Sequence, residues 1–202
     1  MSRLPRRIVE CCVKVSSAAP QSMADGVAGL LEAERRCGEL ARGIEAFREA
    51  ARDLGILEES RNGQRVYDAW CKLSRYFLDP LAALKDAWCE DVSEASDLPP
   101  GFEPLGARWE RTTPEVHAFL EEEKWLDQAL QTSPVSTHVG TRLRSRLLLL
   151  DRRGERIKVA LDLLRDELSS VARRGAEHLT RSLAAQEVGV AAGPGDASGG
   201  QP

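Results

Sequence analysis

Few side chains in this 202-residue chain are suited to chemistry, and they are scattered along it. His117 and Glu121 are four residues apart, so on a helix they would share one face and could supply two metal ligands. Such a pair often arises by chance, and no nucleotide-binding loop, zinc-protease motif or nucleophile elbow can be written from the sequence. We therefore expect no metal or other cofactor and no catalytic residues, and we predict a non-enzymatic protein.

The cysteines are odd in number, irregularly spaced and without a CxxC pair: Cys11, Cys12, Cys37, Cys71 and Cys89. This usage predicts reduced thiols and a cytoplasmic or nuclear protein. Cys37 and Cys71 should alkylate slowly because they lie on or beside apolar helix faces. Two alternatives stay open. The adjacent Cys11 and Cys12 could be acylated beside the basic N-terminus, and Cys71 or Cys89 could meet a histidine in a thiol enzyme.

Charge is distributed unevenly along the chain, which has a net charge of −4. Residues 86–127 carry twelve acidic and three basic residues, whereas residues 140–185 carry eleven basic and six acidic ones. The two stretches could pair within one fold or with a partner of opposite charge. The basic residues between 142 and 181 could also bind the phosphates of nucleic acid or a membrane surface. Because acidic residues interleave with them and aromatic residues do not, a solvated helix surface with internal salt bridges is the simpler interpretation.

The composition favours helices as the elements that position these side chains. Hydrophobic residues make up 42%, charged residues 30% and aromatic residues only 5% of the chain, which is typical of an all-α protein. The longest apolar run is Leu147 to Leu150, too short to cross a membrane. The N-terminus also has no signal-peptide pattern, so neither a transmembrane nor a secreted protein is expected.

Two stretches repeat apolar residues at alternating steps of three and four, the pattern of helices that pack nearly parallel to one another. We call them the first and second seams. The repeat of the first seam is Leu30, Ala33, Cys37, Leu40, Ile44, Phe47, Ala51 and Leu54. The repeat of the second seam is Leu143, Leu147, Leu150, Gly154, Ile157, Leu161, Leu164, Leu168 and Val171. Gly154 marks either a helix break or a close helix crossing. The fold expected is an elongated helical bundle of four or five helices, with coiled-coil-like heptad seams that face each other or a partner. The predicted packing residues of the first seam are Leu30, Leu40, Ile44, Phe47 and Leu54. Those of the second are Leu143, Leu147, Leu150, Ile157, Leu161, Leu164, Leu168 and Val171.

Between the two seams the pattern is less regular. The aromatic-rich stretch over 66–88 predicts either one helix kinked at Pro80 or two helices. A long connection follows over 93–111 and contains three prolines and two glycines. A further helix should begin near Thr112, where Thr112 and Glu115 could form a capping box, and end at 132–134.

The sequence thus predicts three regions: a basic N-terminal segment over 1–23, a helical bundle over 24–185 and a disordered Gly/Ser/Pro-rich tail over 186–202. Asp25 is the expected N-cap of the first long helix. The function expected is a non-enzymatic adaptor or structural subunit that assembles a protein complex through helix–helix contacts with other subunits or a second copy. The alternatives are a module that binds nucleic acid or membrane through residues 142–181, and a thiol- or metal-dependent enzyme.

Overall fold

The computed structural model describes residues 4–53, 98–132 and 137–191, together with isolated positions 68, 71, 72 and 75. These residues form four helices and no strand. The helices are α1 (Arg6–Val15), α2 (Pro20–Asp53), α3 (Glu103–Thr132) and α4 (Thr137–Ala191). The prediction of an all-α helical bundle is therefore confirmed, whereas the coiled-coil geometry of its seams stays a prediction.

Helix α4 is the central element of the bundle, because α2 and α3 both pack against it. At 1.5 Å per residue its 55 residues span roughly 80 Å. Along α2, Val27 lies near Gly175, Cys37 bonds to Leu161, and Arg48 lies near Gly154. Residue numbers rise in one helix as they fall in the other, so α2 and α4 are antiparallel.

Helix α3 is also antiparallel to α4, and it is therefore parallel to α2. The Thr112 hydroxyl lies 3.4 Å from the Ala160 carbonyl oxygen, and the Arg153 guanidinium donates to the Ala118 carbonyl oxygen at 3.1 Å. Between α2 and α3 the rings of Phe47 and Phe119 meet edge to face, with centroids 5.8 Å apart, a favoured aromatic geometry. All four helices contribute to one continuous hydrophobic core.

The N-terminal region differs from the separate basic segment predicted over 1–23. Its residues 6–15 form α1, which packs against α2 and buries Ile8, Cys11, Cys12 and Val15. The spacing of these four residues places them on one helix face, and that face is the signal missed in so short an element. Helix α2 then begins at Pro20 rather than at Asp25, since proline suits a first helical position, where no amide hydrogen is needed.

The predicted connection over 93–111 is wrong in its second half, because α3 begins at Glu103. Pro104 falls in the first turn, where it is tolerated, and Gly101, with φ of +94°, makes the turn that precedes the helix. The capping box at Thr112 is also wrong. Its hydroxyl donates to the Arg108 carbonyl oxygen one turn earlier, inside a continuous helix. Burial of Leu105 and Trp109 explains why packing prevails over the local helix breakers.

The C-terminal boundary is wrong as well, since α4 continues through residues 186–191, which were assigned to a disordered tail. A helix already nucleated adds residues at low cost, so α4 extends past the end of its apolar pattern. The end of α3 at Thr132 agrees with the sequence. Most of the aromatic-rich segment 66–88, residues 192–202 and the seam residue Leu54 lie outside the described residues.

Close approach of α1 to α2 requires glycine at position 26. A Cβ atom there would lie 2.8 Å from the Cys11 carbonyl oxygen and 2.8 Å from the Val15 nitrogen, both backbone atoms of α1. We predict that Gly26→Ala separates the two helices and lowers the free energy of unfolding by about 1–3 kcal/mol, as overpacking does. Urea denaturation followed by circular dichroism measures the change.

Gly38 provides the matched control for this prediction. It lies in the same helix, but a Cβ atom there would lie 3.5 Å from the nearest atom, the Arg165 Cδ, which is ordinary contact. Gly38→Ala should therefore leave the protein as stable or raise the free energy of unfolding by up to about 1 kcal/mol through helix propensity. Equal effects of the two substitutions would contradict the close crossing of α1 and α2.

Candidate interaction surface

The two predicted seams form the centre of the core within a single chain. On α2, Leu30, Leu40, Ile44 and Phe47 are buried. On α4, Leu147, Leu150, Ile157, Leu161, Leu164, Leu168 and Val171 are buried. Leu143 lies within α4, but its side chain is outside the described part of the structure. Because the neighbouring helices already cover them, the described seam residues offer no surface to a partner of the folded monomer.

A charged network crosses from α2 to α4 beside the seams, centred on Arg48, which is only 6% exposed. The Arg48 Nε donates to the Asp151 carboxylate at 3.0 Å, and its Nη1 donates to the Glu45 carboxylate at 3.1 Å. Arg52 and Lys158 lie at its edge, 3.4 Å from Asp151 and 3.5 Å from Glu45. The Glu155 carboxylate lies 3.7 Å from the Arg48 Nη2. Three carboxylates therefore compensate the buried guanidinium, as a charge removed from water requires.

Gly154 makes the space that this arginine occupies. A Cβ atom at position 154 would lie 3.0 Å from the Arg48 Cδ and 3.3 Å from the Ile44 Cγ2. The sequence left open whether Gly154 marks a helix break or a close helix crossing. The structure shows a close crossing in an unbroken helix. The importance of Arg48 was missed, although a charged residue between Phe47 and Ala51 of the first seam was a visible signal.

Several basic residues of α4 pair within the fold. Arg146 and Arg153 both approach the Glu122 carboxylate of α3, which joins the acidic and basic stretches of the sequence internally. Arg165 pairs with Asp162 and Asp166 along α4. Ion pairing of this kind leaves fewer positive charges for phosphate groups. It favours the interpretation of the basic stretch as a surface with internal salt bridges.

Three of the four described thiols are buried, namely Cys11, Cys12 and Cys37, and Cys89 lies outside the described residues. Burial raises the pKa of Cys12 and of Cys37 to about 12, so both stay protonated at neutral pH and are poor nucleophiles. The Cys11 thiol lies beside Gly29 of α2, and Cys12 is 0% exposed, so burial disfavours acylation of both in the folded protein. Cys71 is exposed, so the prediction that it is shielded is wrong.

The candidate metal pair does not extend to a larger cluster. Within the described ranges, no group of three or more His, Cys, Asp or Glu side chains is placed to hold a metal ion. His117 is half-buried on α3, one turn from the exposed Glu121.

Large apolar side chains are exposed at two adjacent positions on the side of α4 that faces away from the core. Val159 is 56% exposed and Leu163, one turn later, is 42% exposed. Arg152 and Arg156 lie on the same side, are exposed, and form no ion pair with the described residues. We call these four residues the α4 outer face. The signal for it in the sequence was an i, i+4 apolar pair that does not belong to the second seam.

The burial of Leu161 leads to a direct prediction. This side chain is 0% exposed, so Leu161→Asp would place an unpaired carboxylate in the core. The cost is comparable with the total stability of a typical domain, about 5–15 kcal/mol. We expect the variant to be an unfolded monomer or to aggregate, as measured by circular dichroism and light scattering. Leu163→Asp, two residues away on the α4 outer face, should melt within a few degrees of the wild type.

The thiols provide a second prediction. In the native protein at pH 8, Cys71 should alkylate fast while Cys12 and Cys37 are protected, because both are buried and protonated. All should react once denaturant unfolds the chain, as measured by mass spectrometry. Rapid native labelling of Cys37 would contradict its burial.

The same thiols predict how stability depends on pH. The pKa of both buried thiols is above the ordinary value of 9.0, so they ionise at lower pH in the unfolded state than in the folded state. The free energy of unfolding should therefore fall above about pH 9.

Comparison with known proteins assigns no relationship. No protein family matches the chain, and no curated protein and no solved structure is significantly similar to it. None of the described helices is long and apolar enough to cross a membrane.

Proposed function

We propose that this protein is a non-enzymatic helical adaptor or structural subunit of the cytoplasm or nucleus, and that it binds a partner protein through the α4 outer face. The observation that carries the proposal is the exposure of Val159 and Leu163 one turn apart on the longest helix. Exposed apolar side chains standing alone are ordinary, whereas adjacent ones mark contact sites more often.

Among the described residues, the other large exposed apolar side chains support this choice of surface. Val13 is on α1, Leu31 is on α2, and Leu183 lies near the C-terminal end of α4. None of these three forms a pair with another large exposed apolar residue one turn away. The α4 outer face also carries Arg152 and Arg156, and arginine is enriched in protein interfaces.

The state of the polar groups agrees with a binding function rather than with catalysis. The most buried charge, Arg48, is compensated by carboxylates of α2 and α4. The buried thiols are protonated at neutral pH, which disfavours nucleophilic chemistry. The partner is therefore expected to bind the outside of an intact bundle.

The experiment compares full-length tagged proteins recovered from the native cell, with bound proteins quantified by mass spectrometry. The test variant is Val159→Asn with Leu163→Asn, which removes the apolar pair and should leave the helical circular dichroism unchanged. We expect it to lose at least one partner that the wild type retains, about tenfold or more, because interface contacts concentrate in a few residues.

Leu31→Asn is the matched control, since Leu31 is similarly exposed, at 47%, but lies on α2. It should retain every partner of the wild type. A double variant with unchanged partners would contradict the proposal. Binding of nucleic acid that weakens steeply with salt and depends on Arg152 and Arg156 would instead favour a phosphate-binding module.

A further inference from the structure

The described helices form two αα-hairpins, and chain connectivity fixes only part of their arrangement. Residues 16–19 join α1 to α2, and residues 133–136 join α3 to α4. Short links of this kind hold each pair side by side. The two hairpins are joined by the much longer stretch 54–97, whose length alone does not fix how far α2 lies along α4. Contacts between the described helices contribute to fixing it.

Hydrophobic packing alone specifies this register weakly. Both seams repeat every seven residues, so a slide of one heptad places apolar residues against apolar residues again. After such a slide, Cys37 or Ala51 would occupy the position that Ile44 now occupies. Leu161 would then lie opposite the α2 residue that now lies opposite Leu168 or Gly154. All of these residues are buried. The apolar pattern therefore tolerates more than one alignment.

Arg48 does not tolerate such a slide. In the observed alignment it contacts Asp151 at 3.0 Å and occupies the space above Gly154. One heptad to either side of Gly154 lie Leu147 and Leu161, whose side chains would fill that space. One heptad to either side of Asp151 lie Arg144 and Lys158, which would repel the guanidinium. Glu155, which lies 3.7 Å from Arg48, would be replaced by Leu148 in one direction and by Asp162 in the other. Each neighbouring alignment thus replaces Gly154 by a leucine and the attraction of Asp151 by a repulsion.

A second contact at the other end of α4 excludes one of these slides independently. A Cβ atom at Gly175 would lie 2.8 Å from Val15 and 2.9 Å from Val27. Sliding α2 by one heptad in one direction would place Val27 against Leu168 in place of Gly175. The two valines belong to the α1–α2 hairpin, so this contact also lies between the two hairpins.

We infer that Arg48, Asp151 and Gly154 form a register-determining contact that selects one alignment of the α1–α2 hairpin against α4. Buried ion pairs contribute little net stability when compared with apolar residues of similar size. Their best-attested function is to select one register or assembly among several of similar energy. Here the selection acts through repulsion in the alternatives as much as through attraction in the native alignment.

The test measures the alignment directly in the full chain. Spin labels at positions 21 and 152, both exposed, are far apart along the bundle axis, and Cys71→Ser with Cys89→Ser removes two competing thiols. Double electron–electron resonance should give one distance for this wild-type background. Arg48→Met with Asp151→Leu should remain folded with an undiminished melting temperature. It should also gain a second distance that differs by about 10 Å, the rise of one heptad.

Arg52→Met is the matched control, because Arg52 contacts the same Asp151 carboxylate but is exposed at the edge of the network. It should keep the single wild-type distance. If the double variant shows only the wild-type distance, other contacts determine the register and the inference is wrong. If the double variant unfolds, the network acts through stability rather than through selection of an alignment, and the inference is equally wrong.

Discussion

The apolar stripe of α4 cannot be shielded by α4 itself, and its burial against α2 and α3 is the interaction on which the rest of the fold depends. In proteins most of the stability of a helix comes from packing its apolar face against neighbours rather than from the helix propensity of its residues. Leu150, Leu161 and Leu168 are almost completely buried, although each lies on a different part of the helix. Two antiparallel neighbours therefore cover one long helix, and α1 adds to the core through its contact with α2.

Charge is organised around this apolar core rather than apart from it. Over five consecutive residues of α4, Asp151 and Glu155 face α2, Arg153 faces α3, Gly154 faces the core and Arg152 faces solvent. This division follows from the helical repeat, which turns successive residues by about 100°. The acidic and basic stretches of the sequence meet in the Glu122 contacts with α4. Charged residues of α4 such as Asp151, Arg153 and Lys158 thus pair with the neighbouring helices, and we propose that the α4 outer face contacts a partner.

Features with a long sequence repeat, such as the two seams, could be predicted from the sequence. Features for which local residue preferences and tertiary packing disagree could not. The seams were visible because a seven-residue repeat over many turns rarely has another cause. The start of α3 was missed because Pro104 and Gly106 disfavour a helix locally. Burial of Leu105 and Trp109 stabilises the helix despite these two residues. The sequence could not show whether the seams pack against each other or against a partner. Periodicity identifies the apolar face of a helix but not the element that packs on it. Arg48 was missed because its effect depends on Gly154 and Asp151, about a hundred residues away.

The central claim is that both seams are buried within one chain, and hydrogen exchange over a dilution series tests it most directly. Backbone amides of residues 37–47 and 157–168 would be followed by mass spectrometry from high micromolar to nanomolar protein. An intramolecular core is independent of concentration, so protection in both segments should stay constant across the series. Protection that falls on dilution in either segment would show that a second chain covers the seam, and would contradict this account of the fold.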